Sequence, residues 1–266
     1  MPLSTWPVNI LDEFQTVQKL QDGYSVSRFG DGEIALADGG AQVREPVNPA
    51  LAAELRQIIS VPQPGLLVGI PTLDRHGPKY ANWVRRAPRF LKFLAPDMPY
   101  VSAFLTRPDS APAIQTWEFA ENLQACWANK KAVVVSEPDS KLLVAVTAAA
   151  RKTVHVCCPH RETYAVLGDI EREVLRNRPE IVLLSHGPSA TCLAARLCRL
   201  GIQALDLGSI GAMLLRLLPI ERVTHVYPFA LRHPELQGNR FAMVVRLEAA
   251  GFEVLYAGER EGTDRC

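Results

Sequence analysis

Along the second half of the chain, runs of consecutive apolar residues alternate with amphipathic stretches. Together these two patterns predict a regular succession of strands and helices. Continuous apolar runs predict strands over residues 132–136, 154–158, 181–185 and 203–207. Amphipathic stretches predict the intervening helices over residues 142–151, 162–177 and 189–200. Strands that alternate with helices favour a parallel sheet with right-handed crossovers. The apolar character of whole strands indicates burial on both faces.

The first half has the same two kinds of segment with less regular spacing. Apolar residues at helical intervals predict helices over residues 9–21, 51–59, 79–94 and 114–127. Asn48 and Pro49 supply a cap and a first-turn proline for the second of these. Strands are predicted over residues 24–27, 66–70 and 100–105. The helix at 79–94 carries basic residues between aromatic ones; its apolar face alone explains the pattern, and a role in binding an acceptor stays open.

The last part of the chain is less regular. Its pattern predicts helices over residues 213–218 and 241–249, and strands over residues 223–229 and 252–256. We interpret residues 1–266 as a single α/β domain with a Rossmann-like, mostly parallel sheet and helices on both faces. Residues 212–266 are interpreted as a C-terminal extension of that domain, added at an edge of the sheet.

Composition and charge narrow the classes of function. The chain has 266 residues, of which 48% are hydrophobic and 21% charged, and a formal net charge of +1. This balance gives no reason to expect a nucleic-acid partner. The longest apolar stretch, residues 142–150, is far shorter than the roughly 20 residues of a membrane helix. No signal peptide is evident and the six cysteines have no metal-site spacing, so we expect a cytoplasmic protein with reduced thiols.

The stretch Ser27-Arg28-Phe29-Gly30-Asp31-Gly32-Glu33 has the most distinctive chemistry. In an extended segment, residues i and i+2 point to the same side, so Asp31 and Glu33 are predicted to face one point. Gly32 allows the backbone to bend towards that arrangement. Two carboxylates suit a divalent cation such as Mn²⁺ or Mg²⁺, and Arg28 suits a phosphate. The alternative is that Asp31 caps a helix whose first turn contains Glu33.

Further polar residues follow predicted strands, where open α/β sheets bind ligands. Arg107 follows the strand at 100–105, Glu137 and Lys141 follow the strand at 132–136, and Arg161 follows the strand at 154–158. Arg107 has a plain alternative as a surface residue in a turn, and Glu137 and Lys141 have one as a solvated pair in a loop.

Two other segments also follow strands of the regular half. Gly187, Ser189 and Thr191 form a glycine turn and a helix start, which suits an anion and equally suits an ordinary helix cap. Asp206 ends the strand at 203–207 and has the alternative role of a structural turn carboxylate.

The segment Arg-Phe-Gly-Asp-Gly-Glu at residues 28–33 resembles the signature of the GT-D-type bacterial glycosyltransferases. The Thr-Arg pair ending at Arg107, the Cys-Pro segment at 158–159, the Gly-Pro-Ser-Ala loop at 187–190 and Asp-Leu-Gly at 206–208 extend the resemblance over about residues 24–211. It implies transfer of a hexose from a nucleotide diphosphate sugar, most simply a UDP-hexose, to a hydroxyl acceptor on a glycan, protein or lipid-linked carrier. Self-association of the chain stays open.

The resemblance also assigns roles to the candidate residues. Asp31 and Glu33 become the metal ligands, and Glu137 becomes a candidate acceptor base or ribose ligand. The nucleotide-sugar contacts fall to the remaining candidates, which are Arg28, Gly30, Arg107, Lys141, Arg161, Gly187, Ser189, Thr191 and Asp206.

One position departs from the family pattern. Ser209 stands where the family's Asp-x-Gly-His has histidine, and His160 or His186 is a candidate to replace it. Ser209 therefore leaves a nucleotide-binding module without turnover as an alternative. A second alternative is an unrelated phosphatase-like or hydrolase-like α/β enzyme that uses the same carboxylates.

Overall fold

The fold, taken from a computed structural model, is described for residues 6–73, 79–138, 140–217, 243–248 and 251–256. The strands in this part of the chain are β1 (Ile10–Leu11), β2 (Ser25–Arg28), β3 (Leu66–Ile70), β4 (Tyr100–Ser102), β5 (Lys131–Ser136), β6 (Lys152–Cys157), β7 (Ile181–Ser185), β8 (Ala204–Asp206), β9 (Met243–Glu248) and β10 (Gly251–Tyr256). The α-helices are α1 (Glu13–Gln21), α2 (Asp31–Ala37), α3 (Pro49–Ser60), α4 (Tyr80–Leu91), α5 (Trp117–Gln124), α6 (Lys141–Thr147), α7 (Leu167–Arg176), α8 (Ser189–Arg199) and α9 (Gly211–Leu217).

All ten described strands belong to one sheet in the order β1-β4-β3-β2-β8-β7-β5-β6-β9-β10. The first eight in that order are parallel to their neighbours, whereas β9 pairs antiparallel with β6 and β10 pairs antiparallel with β9. The predicted α/β class and mostly parallel sheet are therefore confirmed. The antiparallel pair β9–β10 lies at the β6 edge of the sheet.

Two hydrophobic cores cover the two faces of the sheet. Alternate residues of β5 divide between them: Val133 and Val135 join one core, whereas Ala132 and Val134 join the other. The first core contains apolar residues of α2, α3, α4, α7 and α8. The second contains those of α1, α5, α6 and α9. Helices on both faces leave the carboxyl edge of the parallel strands accessible to the segments that follow them.

Several predicted boundaries of helices and strands were wrong. Ile10 and Leu11 form a short strand beside β4, and the first helix begins at Glu13 after its cap, Asp12. The strand predicted over 100–105 ends at Ser102, and a 3-10 turn, Ala103–Thr106, follows. The helix predicted from residue 162 begins at Leu167, after another 3-10 turn.

The C-terminal expectations were met in part. The helix predicted over 241–249 was wrong, because Met243–Glu248 is a strand whose backbone groups pair with β6 and β10. Local pattern did not show this pairing, which fixes the extended conformation. The predicted strand over 252–256 was confirmed by β10. The strand predicted over 223–229 lies outside the described residues.

Candidate functional site

Parallel pairing brings the carboxyl ends of β2, β8, β7 and β5 side by side along one edge of the sheet. The chain places β6 on one side of β5 and β7 on the other, and ligands in open α/β sheets bind at such reversals of strand order. The segments that follow these strands carry most of the predicted site residues. They also line three adjoining clefts.

The clefts are named here by one characteristic residue. The Asp31 cleft, about 220 Å³, is lined by residues that include Asp31, Glu33, Arg44, Trp83, Arg107 and Gly187. The Glu137 cleft, about 440 Å³, includes Arg44, Glu137, Lys141, Ser185, Gly187 and Ser209. The Arg216 cleft, about 490 Å³, includes Arg107, Asp109, Lys141, Ser209 and Arg216. Shared residues join each cleft to the others, so the three form one continuous surface.

The predicted extended arrangement of Asp31 and Glu33 was wrong, because both residues lie in the first turn of α2. Gly30 is the cap residue, so Asp31 and Glu33 occupy the first and third helical positions. Successive helical residues are rotated by about 100°, which turns two residues at i and i+2 away from each other. The two carboxylates therefore line the same cleft from different sides of the helix start.

Glu33 caps its own helix. Its Oε2 accepts a hydrogen bond from the Gly30 backbone N–H at 2.7 Å, which satisfies one of the free donors of the helix start. Burial raises the pKa of Glu33, while hydrogen bonds from its own backbone N–H and from that of Gly30 act in the opposite direction. The alternative that Asp31 caps the helix was therefore wrong as well, because Gly30 is the cap residue and Glu33 supplies the carboxylate that bonds to it.

Asp31 faces solvent at the mouth of its cleft. Its side chain is 58% exposed, and its Oδ2 lies 3.2 Å from Nη1 of Arg86 on α4. Among the described residues, no group of three or more His, Cys, Asp or Glu side chains converges as a metal site. A cation at this position would therefore need oxygen ligands from a substrate as well as from the protein.

Arg28 and Asp206 form an ion pair within the protein, at the base of the segment that leads into α2. Nη2 of Arg28 lies 2.9 Å from Oδ1 of Asp206, and Nε of Arg28 donates to the Asp206 backbone oxygen at 2.6 Å. Thr191 joins this network through its hydroxyl, which lies 2.9 Å from the Arg28 backbone oxygen. Asp206 and Thr191 are buried, bond within the protein and do not line the three clefts, so their predicted contacts with a nucleotide sugar stay a prediction.

The start of α8 is also held by internal contacts. The buried Ser189 hydroxyl donates to Oε1 of Glu45, and the Ala190 N–H donates to the Gly187 oxygen at 3.0 Å. Pro188 has no N–H to offer. Of the three predicted residues of this loop, Gly187 lines the clefts, where its positive φ of 80° suits glycine.

Glu45 is a buried carboxylate that sequence patterns did not reveal. It accepts the Ser189 hydroxyl and the Tyr164 backbone N–H, the latter at 3.0 Å. Burial raises the pKa of Glu45, and the hydrogen bond from Ser189 is the largest opposing effect. These contacts attach the segment after α2 to the start of α8, at the boundary between two of the clefts.

Arg107 lies at the mouth of the Asp31 cleft, as its position after a strand predicts. Its guanidinium makes a two-pronged contact with Asp109, with Nε–Oδ1 at 3.0 Å and Nη2–Oδ2 at 3.1 Å. Hydrogen bonds to Asp109 raise the pKa of Arg107, and the charges of Asp31 and Glu33 add to that effect. Asp109, which also contacts Lys79, has its pKa lowered by Arg107.

Glu137 lies between two basic side chains at the end of β5. One carboxylate oxygen contacts Nη1 of Arg44, and the other lies 2.9 Å from Nδ1 of His160. Lys141, the first residue of α6, lines both the Glu137 and the Arg216 clefts. Arg161 is exposed and lines none of these three clefts, so the structure does not group it with the other candidates.

Ser209 lines the Glu137 and Arg216 clefts, so the position of the missing family histidine faces open space. His186 is 2% exposed, and neither ring nitrogen has a hydrogen-bond partner among the described residues. Burial lowers the pKa of His186 to about 3. His160 is half-exposed and reaches Glu137, which makes it the nearer of the two candidates to a cleft.

Sequence patterns did not place Arg44, Trp83 and Arg86 at the Asp31 cleft, although the basic and aromatic residues of the helix at 79–94 were left with an open role in binding an acceptor. Trp83 and Arg86 are three residues apart and therefore share one face of α4. That spacing was a usable signal, but it did not show that this face meets the start of α2. Arg44 follows α2 in a segment without regular periodicity, and no local signal identifies it.

Comparison with known proteins gives consistent results. Residues 26–213 match the family described as "Glycosyltransferase GT-D fold". Glycosyltransferase GlyD of Streptococcus pneumoniae serotype 4 (strain ATCC BAA-334 / TIGR4) is 25% identical over 207 residues, which cover 73% of this chain and 25% of that protein. The probable glycosyl transferase Gly of Streptococcus gordonii is 27% identical over 208 residues, which cover 73% of this chain and 30% of that protein. The chain thus corresponds to between a quarter and a third of the length of these relatives.

Solved structures resemble the fold as well. A structure described as a new glycosyltransferase from Streptococcus sanguinis is 27% identical, with a TM-score of 0.67 over 77% of this chain and 83% of that one. Another, of a highly conserved domain of unknown function described as having a distinct glycosyltransferase fold, is 25% identical with a TM-score of 0.68. It covers 78% of this chain and 80% of that one.

Proposed function

The chain belongs to the GT-D-fold glycosyltransferase family, and from that premise we propose that it moves a hexose from a UDP-sugar to a hydroxyl acceptor with help from a divalent cation. The acceptor class is a glycan, a protein or a lipid-linked carrier. The observation that carries the proposal is the placing of Asp31, Glu33 and Arg107 around one cleft at the carboxyl edge of the sheet. That combination suits a metal-bound diphosphate.

The donor set fits Mn²⁺ or Mg²⁺ held chiefly by Asp31. Such cations are commonly bound by one or two carboxylates, with waters and substrate phosphates completing the shell. Asp31 offers an exposed carboxylate, and Glu33 is the second carboxylate of the same cleft, with Oε2 already bonded to Gly30. When bound, the cation would stabilise negative charge on the departing nucleoside diphosphate.

Arg107 and Lys141 are the proposed diphosphate contacts of the chain itself. Arg107 is half-exposed, lines the Asp31 cleft and carries a planar guanidinium that matches two phosphate oxygens. Lys141 is exposed, and no acidic side chain among the described residues forms an ion pair with it. Both residues line the Arg216 cleft, so a diphosphate bound in that cleft can contact both of them.

Glu137 is the proposed base for the acceptor hydroxyl. It lines the Glu137 cleft, next to the proposed diphosphate site, and its two oxygens are oriented by Arg44 and His160. Fixing a base in one orientation places its lone pairs for proton transfer. The acceptor oxygen then forms its bond to the sugar as its proton passes to Glu137, and the bond to the diphosphate breaks.

The experiment measures UDP release from a panel of UDP-sugars with Mn²⁺ and with EDTA. Asp31→Asn is compared with Asp38→Asn, because Asp38 ends the same helix and pairs with Lys92 outside these clefts. We expect metal-dependent release by the wild type, a loss of at least tenfold in Asp31→Asn and little change in Asp38→Asn, in line with removal of one metal ligand. Binding of UDP without any release favours a nucleotide-binding module. Absence of both binding and release contradicts the proposal.

A further inference from the structure

Arg86 lies on α4 and contacts the Asp31 cleft through Asp31 itself. Its Nη1 lies 3.2 Å from Oδ2 of Asp31, and its guanidinium carbon lies 5.5 Å from the centre of the Trp83 ring. Trp83 is 7% exposed and itself lines the Asp31 cleft. A guanidinium over an indole face keeps its charge while one edge remains free to donate hydrogen bonds.

Three arginines that line the clefts have different acidic partners. Arg28 pairs with Asp206, Arg44 with Glu137, and Arg107 with Asp109. None of those carboxylates is the proposed metal ligand. Within the described part of the chain, Arg86 is the arginine whose acidic partner is Asp31. A divalent cation that binds Oδ2 of Asp31, or both of its oxygens, therefore displaces the Arg86 guanidinium from that carboxylate.

We propose that Arg86 is an exchangeable cation of the donor site: it holds Asp31 while the metal is absent, and it moves to the diphosphate once the metal takes Asp31. The proposal rests on the proposed function, because it requires a metal-bound nucleotide in the Asp31 cleft. In this proposal the Arg86 guanidinium packs against the Trp83 ring in both positions. The exchange removes no charge from the site, since the cation replaces the guanidinium on the carboxylate and the guanidinium then faces the phosphate oxygens.

The exchange has two measurable consequences of opposite direction. Arg86 competes with the metal for Asp31, so it weakens metal binding when no nucleotide is present. It donates hydrogen bonds to the diphosphate, so it strengthens nucleotide binding when the metal is present. A residue that only maintained the fold would weaken both kinds of binding when replaced.

The test measures binding by calorimetry for the wild type, Arg86→Gln and Arg86→Lys, with Mn²⁺ alone and then with UDP at saturating Mn²⁺. Arg86→Gln is expected to bind Mn²⁺ about two- to fivefold more tightly, the range for loss of one exposed ion pair. It is expected to bind UDP about tenfold more weakly, as for loss of one charge-assisted hydrogen bond. Arg86→Lys keeps the charge but not the fork, so its Mn²⁺ affinity stays near that of the wild type while UDP binding weakens.

Arg89→Gln is the matched control. Arg89 is exposed and lies about one turn further along α4, and its replacement by glutamine removes the same charge. If Arg89→Gln tightens Mn²⁺ binding as much as Arg86→Gln does, the change comes from the lower positive charge of the protein in general. That result overturns the proposal. Equal UDP affinity in Arg86→Gln and the wild type also overturns it.

The outcome for the wild type separates this proposal from the proposed function. If the wild type binds UDP with Mn²⁺ and releases UDP from a UDP-sugar, while Arg86→Gln and Arg89→Gln behave alike, the Arg86 proposal fails and the transferase proposal stands. If the wild type binds neither Mn²⁺ nor UDP, both proposals fail. Opposite changes in the two affinities of Arg86→Gln support the exchange.

Discussion

Arg28 at the end of β2 and Asp206 at the end of β8 tie two neighbouring strands together through a buried ion pair. The Nη2–Oδ1 distance is 2.9 Å, and the two side chains are 13% and 5% exposed. The pair adjoins the Asp31 cleft, because Arg28 also lines that cleft and lies three residues before the first residue of α2. The ion pair therefore joins the carboxyl ends of two neighbouring strands next to the candidate metal ligands.

We expect Asp206→Asn to destabilise the protein by about 3 kcal/mol, because it leaves the Arg28 charge buried without a counter-charge. Urea unfolding measures the change. The control is Asp22→Asn, which alters an exposed pair with Lys19 at 3.8 Å and is expected to shift the free energy of unfolding by less than about 0.5 kcal/mol. Equal stabilities for the two variants would show that the pair does not hold the edge.

Gly208 has no room for a side chain. A Cβ there would lie 2.3 Å from Nη2 of Arg28, and its φ of 48° is in the left-handed region. Gly208→Ala is expected to cost more than about 2 kcal/mol, because backbone strain adds to displacement of the Arg28–Asp206 pair. Gly201→Ala isolates the strain: Gly201 has a φ of 75° and nothing within 4 Å of its Cβ position, so we expect a cost of about 1 kcal/mol. Similar losses in the two variants would rule out the clash with Arg28.

Glu45 should make stability depend on pH. Burial raises its folded-state pKa above the ordinary value of 4.5, so the folded protein binds its proton more tightly than the unfolded chain does. That contribution is fully present below the unfolded-state pKa and is lost as the pH rises through the folded-state pKa. In Glu45→Gln we expect a flatter profile over that window, measured by urea unfolding at a series of pH values.

The comparison must be made against the wild type, because the raised pKa of Glu33 contributes in the same direction. Glu54→Gln is the control with the opposite sign. Its hydrogen bonds from Arg196 and Tyr164 outweigh burial and lower its pKa, so its loss removes stability that is present above the unfolded-state pKa. A Glu45→Gln profile parallel to that of the wild type would contradict the assignment.

Ser209→His should accelerate metal-dependent UDP release. The side chain at this position lines two clefts, and the buried His186 does not supply an imidazole there. An imidazole can ligate the metal or donate to a diphosphate oxygen, whereas the serine hydroxyl is shorter and uncharged. The measurement is UDP release with and without Mn²⁺, and Ser209→Ala is the control for loss of the hydroxyl. A neutral or slower Ser209→His variant would show that another group already fills the role or that the cleft is crowded.

The succession of strands and helices was predictable because it depends on the spacing of apolar residues over short stretches of sequence. The continuous apolar runs at β5 and β7 and the amphipathic stretch at α8 need only neighbours within a few residues to be recognised. The position of Arg107 and Glu137 after strands followed from the same pattern, since parallel strands end at one edge. The strand β9 was mistaken for a helix, because its pairing with β6 is a long-range contact that its own sequence does not specify.

The sequence by itself determined the fold class, the mostly parallel direction of the strands and the family signature at residues 28–33. The tertiary structure decided what each signature residue does. Arg28 meets Asp206 across 178 residues, Arg44 meets Glu137 across 93, and Asp31 meets Arg86 on another helix. Such partners are fixed by the order of strands and the packing of helices on the sheet, and spacing within a motif carries no information about either. The motif therefore indicated which carboxylates to consider, and only the folded chain showed that Glu33 caps its helix while Asp31 faces the cleft.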